Sequence, residues 1–359
     1  MSDIENWIRL AKLESPRKAT ALAYHFGGPG EVFHAKAEEL ACVDGITRGM
    51  IERIRTLASE PVDREIKALD ELGAKIVTQH DSDYPQNLRQ IYDPPVILFV
   101  RGELKEEDRF AVAIVGTRRP SQYGRSMALK LGRDLANEGL CVVSGGARGI
   151  DTIAHRGALE GGGRTIAVLG CGLDVSYPPE NMKLFDEISE KGAVITEFVP
   201  GTKPDAWRFP VRNRLVSGLA LGVLVVESLI TGGAMITATL AGEQGRDIWA
   251  VPGSADAPVS EGPHRLIKDG AKLVERVEDI LEELGIQIES DRPVRPKMPD
   301  NLTPEQKAII EVLSLHPKHV DEIIGECKLT PAVANSTLTL LEMQGLVRRV
   351  PGNAYVRAV

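Results

Sequence analysis

The chain has 359 residues, 43% of them hydrophobic, with 43 lysines and arginines against 51 aspartates and glutamates, a formal net charge of −8. That length exceeds one ordinary domain and predicts two or three, and the composition is that of a soluble globular protein rather than a disordered one. An acidic total excludes a chain that binds polyanions over its whole surface, so any such site must be a local basic patch.

The cysteines, Cys42, Cys141, Cys171 and Cys327, are far apart, with no CxxC pair and no metal-ligand spacing. No metal or cofactor is expected, and Cys141 and Cys171 read as small buried hydrophobes in strands. The N-terminus lacks a basic stretch followed by an apolar one, and no segment approaches the roughly 18 apolar residues of a spanning helix. A cytoplasmic, reduced protein without a membrane partner is expected.

Residues 1–80 read as a helical domain of SAM or helix-hairpin-helix type. From Leu40 to Ile54 a helix end leads into a tight Val43-Asp44-Gly45-Ile46 turn and then a second helix. Such hairpins can offer backbone N–H groups to a DNA phosphate. Only Arg48 lies beside this one, so a plain helical hairpin closed by Gly45 is preferred. Residues 81–110 form a connector broken by Pro85, Pro94 and Pro95, with VILFV expected as a strand at the sheet edge.

From residue 111 short apolar runs alternate with helical stretches: AVAIVG, LCVVSG, TIAVLG, AVITE, GVLVVE, DIWAVPG and AKLVE. That alternation predicts an α/β, Rossmann-like core with a mostly parallel sheet covered on both faces, spanning 81–286 with the connector. A ligand site is expected at the carboxyl ends of the strands. Residues 287–302 carry three prolines and mixed charge and read as a linker. Residues 303–359, three helical stretches and a hairpin, follow a winged-helix pattern; Thr303 caps the first helix, with Pro304 at its first position. This unit has six basic and six acidic residues, and its third helix, PAVANSTLTLLEMQ, has no basic residue. A protein-contact or dimer-supporting role is therefore preferred over duplex reading.

The strand ends carry the chemistry. After the first core strand comes GTRRPSQYGR, with Gly116 at the turn, Arg118 and Arg119 as planar cations, Ser121 as a hydroxyl donor, and Tyr123 and Gly124 opening a helix. After the second comes SGGARGID, where Ser144, Gly145, Gly146, Arg148 and Gly149 lead into a helix whose N–H groups point at an anion. Asp151 is expected to complement that helix dipole or to orient Arg148. Further on, Lys203, Arg208, Phe209, Arg212, Asn213 and Arg214 gather in TKPDAWRFPVRNR beside a single Asp205. Several such loops, all at strand ends of an acidic chain, point to an anionic ligand.

The fingerprints of other ligands are missing: no loop has G-x-G-x-x-G with the acidic residue that a dinucleotide needs, and no GKS or GKT marks a P-loop. Two classes remain. One is a nucleotide-processing enzyme similar to lysine-decarboxylase-like phosphoribohydrolases, whose PGGxGTxxE loop holds a catalytic Glu; TGGAMITATLA here has no Glu at that place, and no catalytic residue is assigned. The other is a protein that holds a phosphodiester strand by many modest phosphate contacts and some stacking, with Tyr123, Trp207 and Phe209 as candidate faces. The spread of basic residues over several loops favours the second.

GTRRPSQYG, SGGARGID, TIAVLGCGLDVSYPPEN, FPVRNR and GGAMITATLAGEQGRDIWAVPG, in that order, resemble the DNA processing protein A (DprA/Smf) family. The resemblance implies a homodimeric, non-catalytic protein that binds single-stranded DNA. It implies protection of incoming DNA in natural transformation and loading of RecA recombinase in place of single-strand-binding protein. It also implies that Arg118, the SGGARG loop and the Lys203–Arg214 stretch line the DNA pocket. The sequence departs from the family pattern at 228–235, SLITGGAM, and at Gly262-Pro263-His264.

Overall fold

The computed structural model describes residues 3–13, 15–285, 302–313, 318–327, 329–344, 346–350 and 354–357. Its contacts divide the chain into two compact units, Met1–Ile286 and Gln287–Val359. The linker expected over 287–302 lies, but for Leu302, outside the described residues.

The first unit is built on one sheet. Its strands are β1 (Ala74–Thr78), β2 (Ile97–Gly102), β3 (Ala111–Val115), β4 (Cys141–Ser144), β5 (Thr165–Val168), β6 (Ala193–Thr196), β7 (Gly222–Val225), β8 (Asp247–Ala250) and β9 (Lys272–Leu273). They lie in the order β1-β2-β6-β5-β4-β3-β7-β8-β9. Strands β3 to β9 pair in parallel, β2 runs antiparallel to β6, and β1 antiparallel to β2. Every residue of β3 to β7 is buried, because helices cover both faces and only apolar or internally bonded side chains fit there.

Two expectations need correction. VILFV is not the sheet edge: β2 lies inside it, between β6 and β1. The edge is β1, AKIVT, within the stretch read as wholly helical. The β2 chain arrives from a loop rather than a crossover helix, so it can pair antiparallel at no topological cost.

Alternation along the strands divides the core. Ile97, Phe99, Leu169 and Val194 face one way and join Trp7, Ile8, Leu22, Ile54 and Leu57 of the helical N-terminal residues. Leu98, Val100, Val168 and Ile195 face the other way and join Leu88, Leu215, Val216 and Ala238. This is the two-residue period of a strand buried on both sides. In the hairpin turn Gly45 takes φ +71°, and Lys18 Nζ donates to the Asp44 carbonyl at 2.9 Å. The Val43 and Ile46 N–H groups already donate within the chain, to Leu40 and Val43.

The second unit holds helices Pro304–Val312, Val320–Cys327 and Pro331–Met343 and strands β10 (Lys318–His319), β11 (Val347–Val350) and β12 (Ala354–Arg357). The strands form an antiparallel sheet in the order β10-β12-β11, which completes a winged helix. Thr303 accepts from the Gln306 N–H while the Gln306 side chain accepts from the Thr303 N–H, a reciprocal cap that starts the first helix. Leu302, Ile309, Ile323, Leu338 and Leu341 form its core. Among the described residues no helix is long and apolar enough to cross a membrane.

Candidate functional site

Strand β3 lies between β4 and β7, so the crossovers leave in opposite directions from that pair. Doubly wound sheets open a crevice at such a switch, at the carboxyl ends of the strands. Here a cleft opens over the ends of β3, β4 and β5. Arg118, Gly145, Ala147 and Arg148 line one part of it, and Gly170, Tyr177, Pro178, Phe209 and Arg212 the rest.

Helix Arg208–Leu219 begins at the cleft and delivers both Phe209 and Arg212. The Arg118 guanidinium lies over the Phe209 ring at 5.6 Å. The Tyr177 and Phe209 ring centroids are also 5.6 Å apart, tilted by 34°. Arg118 is exposed and has no carboxylate partner among the described residues. A cation on an aromatic face, open to solvent, can receive a phosphate on the first and a flat ring beside the second.

Arg212 is different. It is 4% exposed, and its Nη1 donates to the Gly145 carbonyl at 2.5 Å and to that of Val168, tying the ends of β4 and β5 together. Its Nε, also buried, has no partner among the described residues. A Cβ on Gly145 would lie 2.5 Å from that guanidinium, which is why glycine follows β4. Gly149, at φ +80°, could carry no side chain either: its Cβ would meet the Thr117 carbonyl at 2.4 Å. It opens helix Ile150–Glu160, but the N–H groups expected to point at an anion are used within the chain: Ile150 donates to the Thr117 carbonyl and Thr152 to that of Ala147, both at 3.2 Å.

Asp151 sits beneath this loop, buried, and accepts from the Ala147 N–H at 3.2 Å. Burial raises its pKa to about 6, against the pull of Arg212 and of the N–H donors. It therefore faces Arg212 rather than orienting Arg148. Glu180 holds Arg148, accepting from its Nη2 at 3.0 Å and from its Nε; both side chains are about half exposed, and such a pair is weak enough to exchange partners.

The remaining expected residues scatter. Arg119 and Lys203 are exposed, with no ion pair among the described residues, but neither lines the cleft. Arg208 lies over Trp207 at 4.7 Å and over Phe198 at 5.7 Å and donates to the Lys203 carbonyl at 2.8 Å. Asn213 is half-buried. Gly146, at φ +63°, packs on Phe185, and Gly116 on Ile150.

Four of the expected contacts give way to internal ones. Arg214 is 1% exposed and forms a bidentate pair with Glu197, both bonds at 2.7 Å. Ser144 is fully buried and donates to the Ile114 carbonyl at 2.6 Å. Ser121 caps its helix and donates to Glu227. The Tyr123 hydroxyl donates to the Pro252 carbonyl at 2.7 Å, beyond β8. Conversely, Tyr177 and Pro178 went unforeseen as cleft residues, although SYPPEN presents an aromatic beside two prolines, which stiffen a loop around it.

Known proteins resemble this chain in sequence and fold. Residues 75–285 match the family described as DNA recombination-mediator protein A, and residues 293–353 match the DprA winged helix domain. The chain is 34% identical to Protein Smf of Escherichia coli over 99% of its own length and 96% of that protein's. It is 47% identical to DNA processing protein DprA of Streptococcus pneumoniae over 56% of its length and 72% of that protein's. The X-ray structure of Streptococcus pneumoniae DNA processing protein A superposes with a TM-score of 0.68 at 37% identity, covering 77% of this chain and 97% of that one. A Helicobacter pylori DNA processing protein A, solved to explain a single-stranded DNA binding mode, gives 0.53 at 32% identity, covering 58% and 95%. From its central domain through its winged helix, the chain belongs to the DNA recombination-mediator protein A family.

Proposed function

We propose that this protein holds single-stranded DNA in the cleft at the ends of β3, β4 and β5. In this reading it protects incoming DNA and presents it to RecA recombinase during natural transformation, working as a homodimer in the cytoplasm. The observation that carries the reading is the Arg118 guanidinium over the Phe209 ring, without a carboxylate partner among the described residues. A strand offers what that pair accepts, an anion joined to a flat base. Arg148, also in the cleft lining and held by the half-exposed Glu180, adds a second cation for a neighbouring phosphate. The cleft lining contains cations, backbone and rings, which suits retention of a strand better than bond cleavage. The single-stranded DNA named for the Helicobacter pylori relative agrees with it.

The winged helix fits a protein contact. Its third helix exposes Val333, Leu340 and Met343, at 40%, 52% and 82%, and brings no cation to a phosphate.

Arg118→Ala is expected to weaken single-strand binding about tenfold, the worth of one charge-assisted hydrogen bond. It should also flatten the plot of log affinity against log salt by about 0.7 for each phosphate that the protein no longer neutralises. Fluorescence titrations of a labelled oligonucleotide at several salt concentrations, with a duplex of the same sequence alongside, measure both. Unchanged affinity and slope, or preference for the duplex, overturns the proposal.

A further inference from the structure

The loop that presents Arg118 and Arg119 has no secondary structure of its own between β3 and helix Gln122–Asn137. A single buried residue at the end of β7, Glu227, holds both of its ends. The Glu227 carbonyl accepts from the Thr117 N–H at 2.7 Å. Its carboxylate accepts from the Ser121 N–H at 2.9 Å and from the Ser121 hydroxyl at 2.5 Å. Ser121 in turn accepts from the Gly124 N–H at 3.1 Å. The backbone is shaped around this carboxylate: a Cβ on Gly124 would lie 2.3 Å from it, and one on Gly116 2.9 Å from the Glu227 carbonyl.

Glu227 is 3% exposed and has no ion-pair partner among the described residues. A buried carboxylate without a counter-charge is costly unless hydrogen bonds satisfy it. Here the donors come from one short loop, so the demand of the carboxylate for donors fixes where that loop lies. The site stands at the switch between β3 and β7, where the two loops must meet, and it lies behind the arginines rather than among the cleft-lining residues.

We infer that Glu227 is a positioning residue for strand binding: it clamps residues 117–124 so that Arg118 rests over Phe209 before any ligand arrives. The inference rests on the proposed function for its effect on DNA, and on geometry alone for the clamp. Preorganisation of this kind removes an ordering cost from binding without a contact to the ligand.

Glu227→Gln keeps the shape and one acceptor; Ser121→Ala removes the hydroxyl from the exposed side and serves where the buried variant fails to fold. In the full-length protein each variant should speed amide hydrogen exchange at residues 117–124 and leave the strands unchanged. Each should lower affinity for an oligonucleotide about fivefold, and that loss should shrink markedly in an Arg118→Ala background while adding in full to Lys203→Ala. A structural role alone would lower stability without that selective coupling. Exchange unchanged in a folded variant overturns the clamp. Faster exchange with unchanged affinity, or loss equal in both backgrounds, overturns its role in binding. If Arg118→Ala itself does nothing, the DNA reading falls, and exchange still decides the clamp.

Discussion

Replacing Glu197 by glutamine is expected to destabilise the fold by about 3–5 kcal/mol, while the folded protein keeps its affinity for a single strand. Arg214, the partner, is 1% exposed and donates to both Glu197 oxygens at 2.7 Å. Its Nε reaches Asp93 at 3.2 Å, and Arg17 of the N-terminal helices pairs with the same carboxylate from outside. A guanidinium cannot shed its proton to escape burial. Removing the charge of Glu197 leaves that cation with Asp93 as its one carboxylate among the described residues, and the loss of a buried partner is far costlier than the loss of a surface pair. Urea unfolding of the two proteins measures the difference. An unaltered midpoint would mean that the pair contributes nothing net. A loss of DNA affinity by a fully folded variant would return Arg214 to the binding surface.

The second large effect concerns acid. His155 is fully buried, its Nδ1 shares a hydrogen bond of 2.7 Å with Thr165 Oγ1, and its Nε2 has no partner among the described residues. Burial, aided by the Arg212 charge, lowers its pKa from 6.5 to about 3. The unfolded chain therefore takes up a proton below pH 6.5 that the fold refuses, and stability is lost as pH falls. Asp151 acts in the opposite sense. Its pKa rises from 3.8 to about 6, so the fold holds a proton that the unfolded chain has released, and stability is lost as pH rises across that window. In the native protein the two slopes largely cancel between them. His155→Gln removes only the first. Between pH 6.5 and about pH 4 the variant should gain about 3 kcal/mol relative to the native protein, whatever its initial deficit. Parallel stability profiles over that range would show that His155 is protonated in the fold after all.

Much of the architecture is legible in the sequence because buried parallel strands must be short, apolar and β-branched, and runs such as AVAIV and CVVS have no other home. Strand β1 was not legible for the opposite reason: AKIVT is only partly buried, and its lysine and its place after a helical stretch mask it. The loops of the cleft could be located, since glycines at 145 and 149 are demanded by close approach, but the fate of each cation could not. Arg212 and Arg214 look alike in FPVRNR. Two positions on a helix differ by about 200°, so only one can face the cleft; that rotation was a usable signal. What takes the other cannot be read locally, because Glu197 and Asp93 lie 17 and 121 residues away. Ser121 illustrates the same limit, a cap in any reading, yet bonded to a carboxylate 106 residues on.

The continuous core beneath β2 and β6 has a consequence for how this chain divides. Trp7, Leu22 and Ile54 share one apolar cluster with Phe99, Leu169 and Val194, and the outermost strand, β1, lies ahead of residue 81. The helical segment and the sheet thus share one apolar core within one compact unit. Cutting the chain near residue 80 would uncover the apolar faces of Phe99, Leu169 and Val194 that Trp7, Leu22 and Ile54 now cover.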